Sequence, residues 1–231
     1  MTSTPPPQSG QDSEEVPAGR GGRPGSPAEE SLADRRAAVA ELGEALRSLV
    51  DLATRTEAGT EVIRESARRL RALAPALRAR TRAITEPASV DDLLGGVRML
   101  NPVIGAGNAI APPLRVEMRE DGAEGRCMLG PAYEGPPSHG HGGISALLLD
   151  QVLGHAVASG GRPGVTRELS LRYLRPVPLD VPLRVWGRVV ELAGRHTLVK
   201  GGITTVGEPE VPLVEAEGRF VGLRRDQLRP M

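Results

Sequence analysis

A single segment constrains what this chain can fold into. Past residue 87 the sequence is made of short runs broken by glycine and proline, and among them stands one long apolar helical stretch, "GISALLLDQVLGHAVA", residues 143–158. The runs around it alternate. "TRELSLRYLR" puts Leu169, Leu171 and Tyr173 on one face, and "VPLRVWGRVV" does so with Val181, Leu183, Val185 and Val189. "LVEAEGRFVGL" sets Ala216, Gly218 and Phe220 against Glu215, Glu217 and Arg219. A period of two marks strands with one buried face. "PLRVEMRE" and "GRCMLG" read as a first strand pair and "HTLVKGGITTV" as a further strand. Every one-faced strand needs an apolar cover, and residues 143–158 supply it. The pattern therefore predicts an α+β domain over residues 87–231, an antiparallel sheet wrapped around a central helix. Short turns such as "LAGR" at 192–195 predict a meander in which successive strands pair.

Two regions precede this domain. Residues 1–30, dominated by Pro, Gly, Ser and Glu, contain almost nothing to bury, so ordering them is not offset and a disordered tail is expected. Residues 31–86 change period: Leu32, Val39, Leu42, Leu46 and Leu49 share a helical face, with Ser31-x-x-Asp34 suited to a capping box. After "TEAGT", Val62, Ile63, Leu70, Leu73, Leu77 and Ile84 repeat the pattern, and Pro75 is expected to kink or split the second helix. Together they predict a helical hairpin, a packing or dimerisation arm with arginines outside.

The 29 basic and 29 acidic residues cancel, which argues against a general attraction to nucleic acid or to an anionic membrane. One cysteine, Cys127, excludes an internal disulfide. No basic start followed by an apolar run opens the chain, and no run approaches the roughly 18 apolar residues of a membrane span. A cytoplasmic protein without a membrane span is the expectation.

Asp150 is out of place on the apolar helix. Its i±3 and i±4 neighbours are Ala146, Leu147, Leu153 and Gly154, so no helical partner matches its charge. An unpaired buried carboxylate costs several kcal/mol, so the acid either finds a tertiary partner or is used. His141, Gly142 and Gly143 stand at the helix entrance, where unsatisfied N–H groups suit a polarised carbonyl oxygen or an anion and glycine allows close approach. An acid together with an N–H oxyanion site is the minimum machinery of acyl transfer. Residues 141 and 150 are nine apart, about 13 Å along a helix, too far for both to reach one carbonyl. Two chains related by a two-fold axis remove the difficulty, the Asp150 of one meeting the Gly142 of the other. His139 and His141 form an H-x-H pair, but no third ligand stands at a telling spacing, so no metal site is expected. His155 and His196 read as surface or turn residues.

"AYEGPPSHGHGGISALLLDQVLG", "GVTRELSLRYLRPVPLDVPLRVWGRV", "AGRHTLVKGGI" and "VEAEGRFVGL" resemble, in order and in spacing, the hotdog thioesterases of the phenylacetate-pathway (PaaI-like) group and related thioesterase-superfamily proteins that act on acyl-coenzyme A. The resemblance covers roughly residues 100–225 and leaves out the tail and the helical hairpin. It implies a hotdog fold, subunits joined edge to edge as a homodimer or a dimer of dimers, and hydrolysis of an acyl-CoA thioester at the dimer interface without metal or cofactor. The group's motif maps onto His141, Gly142, Asp150 and Thr166. Gly142 N–H would polarise the thioester carbonyl, His141 would brace the loop, Asp150 would activate water or attack directly, and Thr166 would bond the water or the carboxylate. Gly143 and Arg195 would contact substrate, Arg195 through the CoA phosphates. Many relatives carry Asn or Gln where this chain has Gly135. A non-catalytic acyl-CoA binder is the alternative reading. Hydratases of this fold place Asp and His within a few residues, unlike His141 and Asp150.

Overall fold

The computed structural model describes Met1 and residues 31–92, 95–112, 114–161 and 163–222. Apart from Met1, the tail expected over residues 1–30 lies outside the described residues. Helix α1 spans Leu32–Arg55 and α2 Thr60–Arg78. Strands β1 (Arg115–Arg119) and β2 (Gly122–Met128) lead through a single helical turn at Pro131–Tyr133 to α3, Gly142–Ser159. Strands β3 (Gly164–Tyr173), β4 (Pro182–Ala193), β5 (His196–Thr205) and β6 (Val214–Gly222) follow.

All strand pairs are antiparallel, in the order β1-β2-β4-β5-β6-β3. The meander is therefore interrupted. The longer connection 174–181 lets β4 return beside β2, which leaves β3 to pair with β6 at the sheet edge. The sheet wraps α3, whose Leu148, Leu149, Val152, Leu153, Ala156 and Val157 are buried against Leu183, Val185, Val199, Ile203, Val214 and Phe220. Leu153 sits in a hollow left by glycines on three adjacent strands: a Cβ on Gly187, Gly201 or Gly218 would lie 2.9, 2.7 or 3.1 Å from its methyl groups. The missing side chains are what allow the helix to approach the sheet closely.

The N-terminal helices depart from expectation. α2 runs through Pro75. The proline forfeits one backbone bond near the helix end, while Ala72, Ala74, Ala76 and Leu77 favour continuation. Nor do the helices close on each other as a hairpin: Val62, Ile63, Leu70, Leu73 and Leu77 are exposed, and α2 buries no residue. α1 docks through part of its apolar stripe, Val39 and Leu46 being half-buried and Val39 lying against Gly107, together with small and basic residues. Gly43 is buried against the Ala106–Gly107 backbone, Arg36 donates to the Val90 carbonyl at 2.8 Å, and Arg47 donates to those of Ala106 and Asn108 at 2.8 and 2.9 Å. Leu32, Leu42 and Leu49 stay exposed. By packing, α1 and the sheet fall in one compact unit.

Candidate active site

The approach to α3 is held from both sides. His141 N–H donates to the Tyr133 carbonyl at 2.8 Å, and Gly140 N–H to that of Val177 at 2.8 Å. Leu179 N–H reaches the Ser138 carbonyl at 3.2 Å. Ser138 itself adopts φ 65°, and its N–H donates to Glu134 Oε1 at 2.7 Å. Gly135 lies so close to His141 that a Cβ would stand 2.8 Å from the His141 Cα, so a side chain at position 135 would collide with the helix entrance.

His141 is the N-cap of α3: its Nδ1 accepts the Gly143 N–H at 2.9 Å. A side-chain acceptor at this position satisfies one of the helix's orphan donors. Gly143, expected to meet substrate, thus has its amide engaged within the chain. The Gly142 N–H has no acceptor among the described residues. Its carbonyl accepts the Tyr173 hydroxyl at 3.0 Å, and a Cβ on Gly142 would meet the Tyr173 ring at 3.3 Å. Tyr173, placed by alternation on the inner face of β3, thus belongs to this corner. No local pattern signals that contact, because nothing in the sequence says how far β3 runs along α3. The His139 ring lies against the Pro137 carbonyl at 2.8 Å, so it and His141 serve different partners.

Two turns along α3, Asp150 is half-buried and not hidden in the core as its apolar neighbours implied. Thr166, at the start of β3, donates to its Oδ1 at 2.7 Å. Among the described residues Asp150 makes no ion pair with arginine. β3 is thus a ruler with Thr166 and Asp150 near one end and Tyr173 and Gly142 at the other. One chain brings Thr166 to Asp150 and His141 to Gly142, but keeps the two pairs apart. Arg195 is exposed in the β4–β5 turn, where its carbonyl accepts Gly222 N–H at 2.8 Å. Because Gly164 pairs with Gly222, this turn lies at the Thr166 end of the sheet. Gln151 and His155 share a separate stripe, the imidazole Nδ1 3.2 Å from Gln151 Nε2.

An antiparallel sheet curled around one helix, with its polar groups at the helix entrance and on the flank facing the edge strand, is the hotdog architecture. A profile of the thioesterase superfamily matches residues 138–211, the span from the α3 approach to the β5–β6 connection. A thioesterase superfamily protein of known structure is 38% identical, covering 79% of this chain and 94% of its own, with a TM-score of 0.70. The chain belongs to the thioesterase superfamily. Acyl-coenzyme A thioesterase THEM4 of Bos taurus is 31% identical over 94 residues, which is 41% of this chain and 38% of the bovine protein's length.

Proposed function

We propose that this protein hydrolyses an acyl-CoA thioester to a free acid and CoA, at sites each completed by two subunits. The observation that carries the reading is the division of the machinery along α3. A capped helix N-terminus leaves the Gly142 N–H open, and Asp150 is oriented by Thr166 but stands too far along the helix to serve the same carbonyl. The bovine acyl-coenzyme A thioesterase supports the substrate class.

In this reading the Gly142 N–H and the positive end of α3 stabilise the oxygen that becomes negative as the carbonyl is attacked. Asp150 of the partner subunit accepts a proton from water, whose oxygen bonds to the carbonyl carbon. Collapse of the tetrahedral intermediate breaks the C–S bond, and the departing thiolate takes up the proton. Thr166 fixes one carboxylate oxygen and so leaves the other for water. His141 holds the turn by engaging Gly143.

The test is release of CoA from a panel of acyl-CoAs, followed with a thiol reagent. Burial pushes the Cys127 thiol up to about 12, so the protein's own thiol stays protonated and sheltered at neutral pH and adds little to the signal. Asp150→Ala is expected to lower kcat at least a thousandfold while leaving the circular dichroism spectrum and the unfolding midpoint near wild type. Saturable binding of acyl-CoA without turnover by the wild type would make the protein a ligand binder and overturn the hydrolase reading.

A further inference from the structure

The two N-terminal helices each turn an apolar seam to solvent. On α1, Ala38, Leu42, Ala45, Leu49 and Leu52 follow one another at spacings of four and three, and all are exposed. On α2, Ile63, Ser66, Leu70, Leu73 and Leu77 follow at spacings of three and four, and these are exposed as well. Leu52 is 65% open to solvent, and Leu73 and Leu77 are each 56% open. Singly, exposed apolar residues are ordinary; repeated at this period they form the seam that a second helix covers. The α1 seam is separate from the side of that helix on which Val39, Gly43 and Leu46 meet the rest of the domain. Pro75 lies toward the face of α2 opposite its seam, so it does not interrupt it.

The two seams fit each other. One runs from residue 38 to 52 and the other from 63 to 77, so both are about 21 Å long at 1.5 Å per residue. Laid antiparallel, they form five layers: Ala38 with Leu77, Leu42 with Leu73, Ala45 with Leu70, Leu49 with Ser66, and Leu52 with Ile63. Three of these layers set a small side chain against a leucine, which lets the helices approach without a void. Charge agrees with shape. α2 carries Arg64, Arg68, Arg69, Arg71 and Arg78 against Glu61 and Glu65. α1 has as many acidic as basic residues, but Arg36 and Arg47 are turned to the carbonyls of Val90, Ala106 and Asn108. What α1 shows to solvent is therefore acidic in excess, with Glu41 and Glu44 both exposed.

Within one chain the seams do not meet. α2 buries no residue, and the link at 56–59 is extended at Gly59 (φ −60°, ψ 149°), whose carbonyl accepts the Val62 and Ile63 N–H groups at 2.9 and 3.2 Å. The occupant that brings a matching seam of matching charge is a second copy of this chain, which presents both halves. We infer that two copies exchange their α2 helices, each α2 lying antiparallel on the α1 of the other with 56–59 as the hinge. The exchange closes as a two-fold pair and leaves neither seam uncovered. Pairing α2 with α2 would set two arginine-rich helices side by side and leave α1 bare. An anionic lipid surface would attract α2 but repel the acidic side of α1. The inference concerns the helical arm alone and does not depend on the hydrolase reading.

Disulfide trapping in the full chain tests this, since the native Cys127 is buried and the new thiols sit at exposed positions. An Ala45→Cys chain and a Leu70→Cys chain carrying different tags are co-expressed and oxidised mildly, and the products are separated on a non-reducing gel. The exchange predicts a disulfide between unlike chains, at least tenfold more abundant than any formed by either variant alone. Leu42→Cys with Leu73→Cys should repeat the result one layer along. Arg68→Cys, on the other side of α2, should link to Ala45→Cys at least tenfold less than Leu70→Cys does. When Ala45→Cys and Leu70→Cys are placed in one chain, the product should run as a covalent dimer. A monomer closed by an internal disulfide would make the arm a hairpin and overturn the exchange. Linkage of the Leu70→Cys chain to itself at the level of the unlike pair would overturn it in favour of an α2–α2 contact. Absence of the unlike-chain disulfide at both layers overturns it as well, and sedimentation of the wild type with phosphatidylserine vesicles, lost in Leu73→Glu, would then assign α2 to a lipid surface.

Discussion

At the scale of single residues, the contact most open to test is the bond from Thr166 to Asp150. A hydroxyl donating to a carboxylate at 2.7 Å is a charge-assisted hydrogen bond, and such bonds contribute about 1.5–3 kcal/mol. Thr166→Val keeps the β-branched shape and removes the donor. Since Thr166 is exposed at the start of an edge strand, stability should hardly change, while kcat for thioester hydrolysis should fall about ten- to a hundredfold, at 1.36 kcal/mol per decade. Steady-state kinetics beside a denaturation curve checks this; unchanged kcat would reduce Thr166 to a strand-start residue. The resemblance to the hotdog thioesterases pointed to Thr166, and the place of His141 before two glycines pointed to the helix entrance. The sequence named Gly135 and Tyr173 but did not show what either one touches. Tyr173 reaches Gly142 only because the edge strand ends beside the helix N-terminus, and Gly135 is demanded by a contact with a residue six positions on. Both are facts of tertiary approach with no local pattern.

At the scale of elements, alternation located the strands because each has one buried face, and the apolar run located α3 because the sheet encloses it. What alternation does not encode is order: β3 and β4 are neighbours in sequence yet lie at the edge and in the interior of the sheet. α1 shows the opposite failure. Its apolar stripe was legible, but only Val39 and Leu46 of it dock, beside Arg36, Gly43 and Arg47, whose value lies in carbonyl acceptors and a close backbone contact that hydropathy does not register. The seat of Leu153 combines both lessons. A leucine in an apolar run is ordinary, whereas Gly187, Gly201 and Gly218 look like poor strand residues until the helix is laid over them. Leu153 is fully buried, and the glycine backbones cannot move in to refill its place. Leu153→Ala should therefore cost about 2–5 kcal/mol, the range for leucine truncation in a rigid core. Urea unfolding measures it, and a loss below about 1 kcal/mol would mean that the helix settles onto the sheet when the side chain is removed.

At the scale of the whole molecule, the proposed chemistry stands or falls with the two-chain site. His141 and Asp150 are separated by nine residues of one rigid helix, about 13 Å, so no side-chain motion within a chain brings Asp150 and the Gly142 N–H onto one carbonyl. A two-fold dimer would create two sites, each taking Gly142 from one subunit and Asp150 from the other. Two inactive variants test this. Asp150→Ala removes the base and keeps the helix entrance. Gly142→Pro removes the N–H, and proline is well suited to the first helical position, which Gly142 occupies after the His141 cap. Each variant alone is dead in both sites. Mixed in equal amounts after reversible dissociation, half of the dimers formed at random are mixed, and each mixed dimer holds one site with Gly142 from the first chain and Asp150 from the second. About a quarter of the wild-type rate should return, rising and falling with the mixed-dimer fraction seen by native mass spectrometry of differently tagged chains. A site built within a single chain gives no recovery at any ratio, because every chain then carries one broken half. Mixed dimers without activity would therefore place Gly142 and Asp150 in separate tasks and remove the division of labour along α3 from the mechanism.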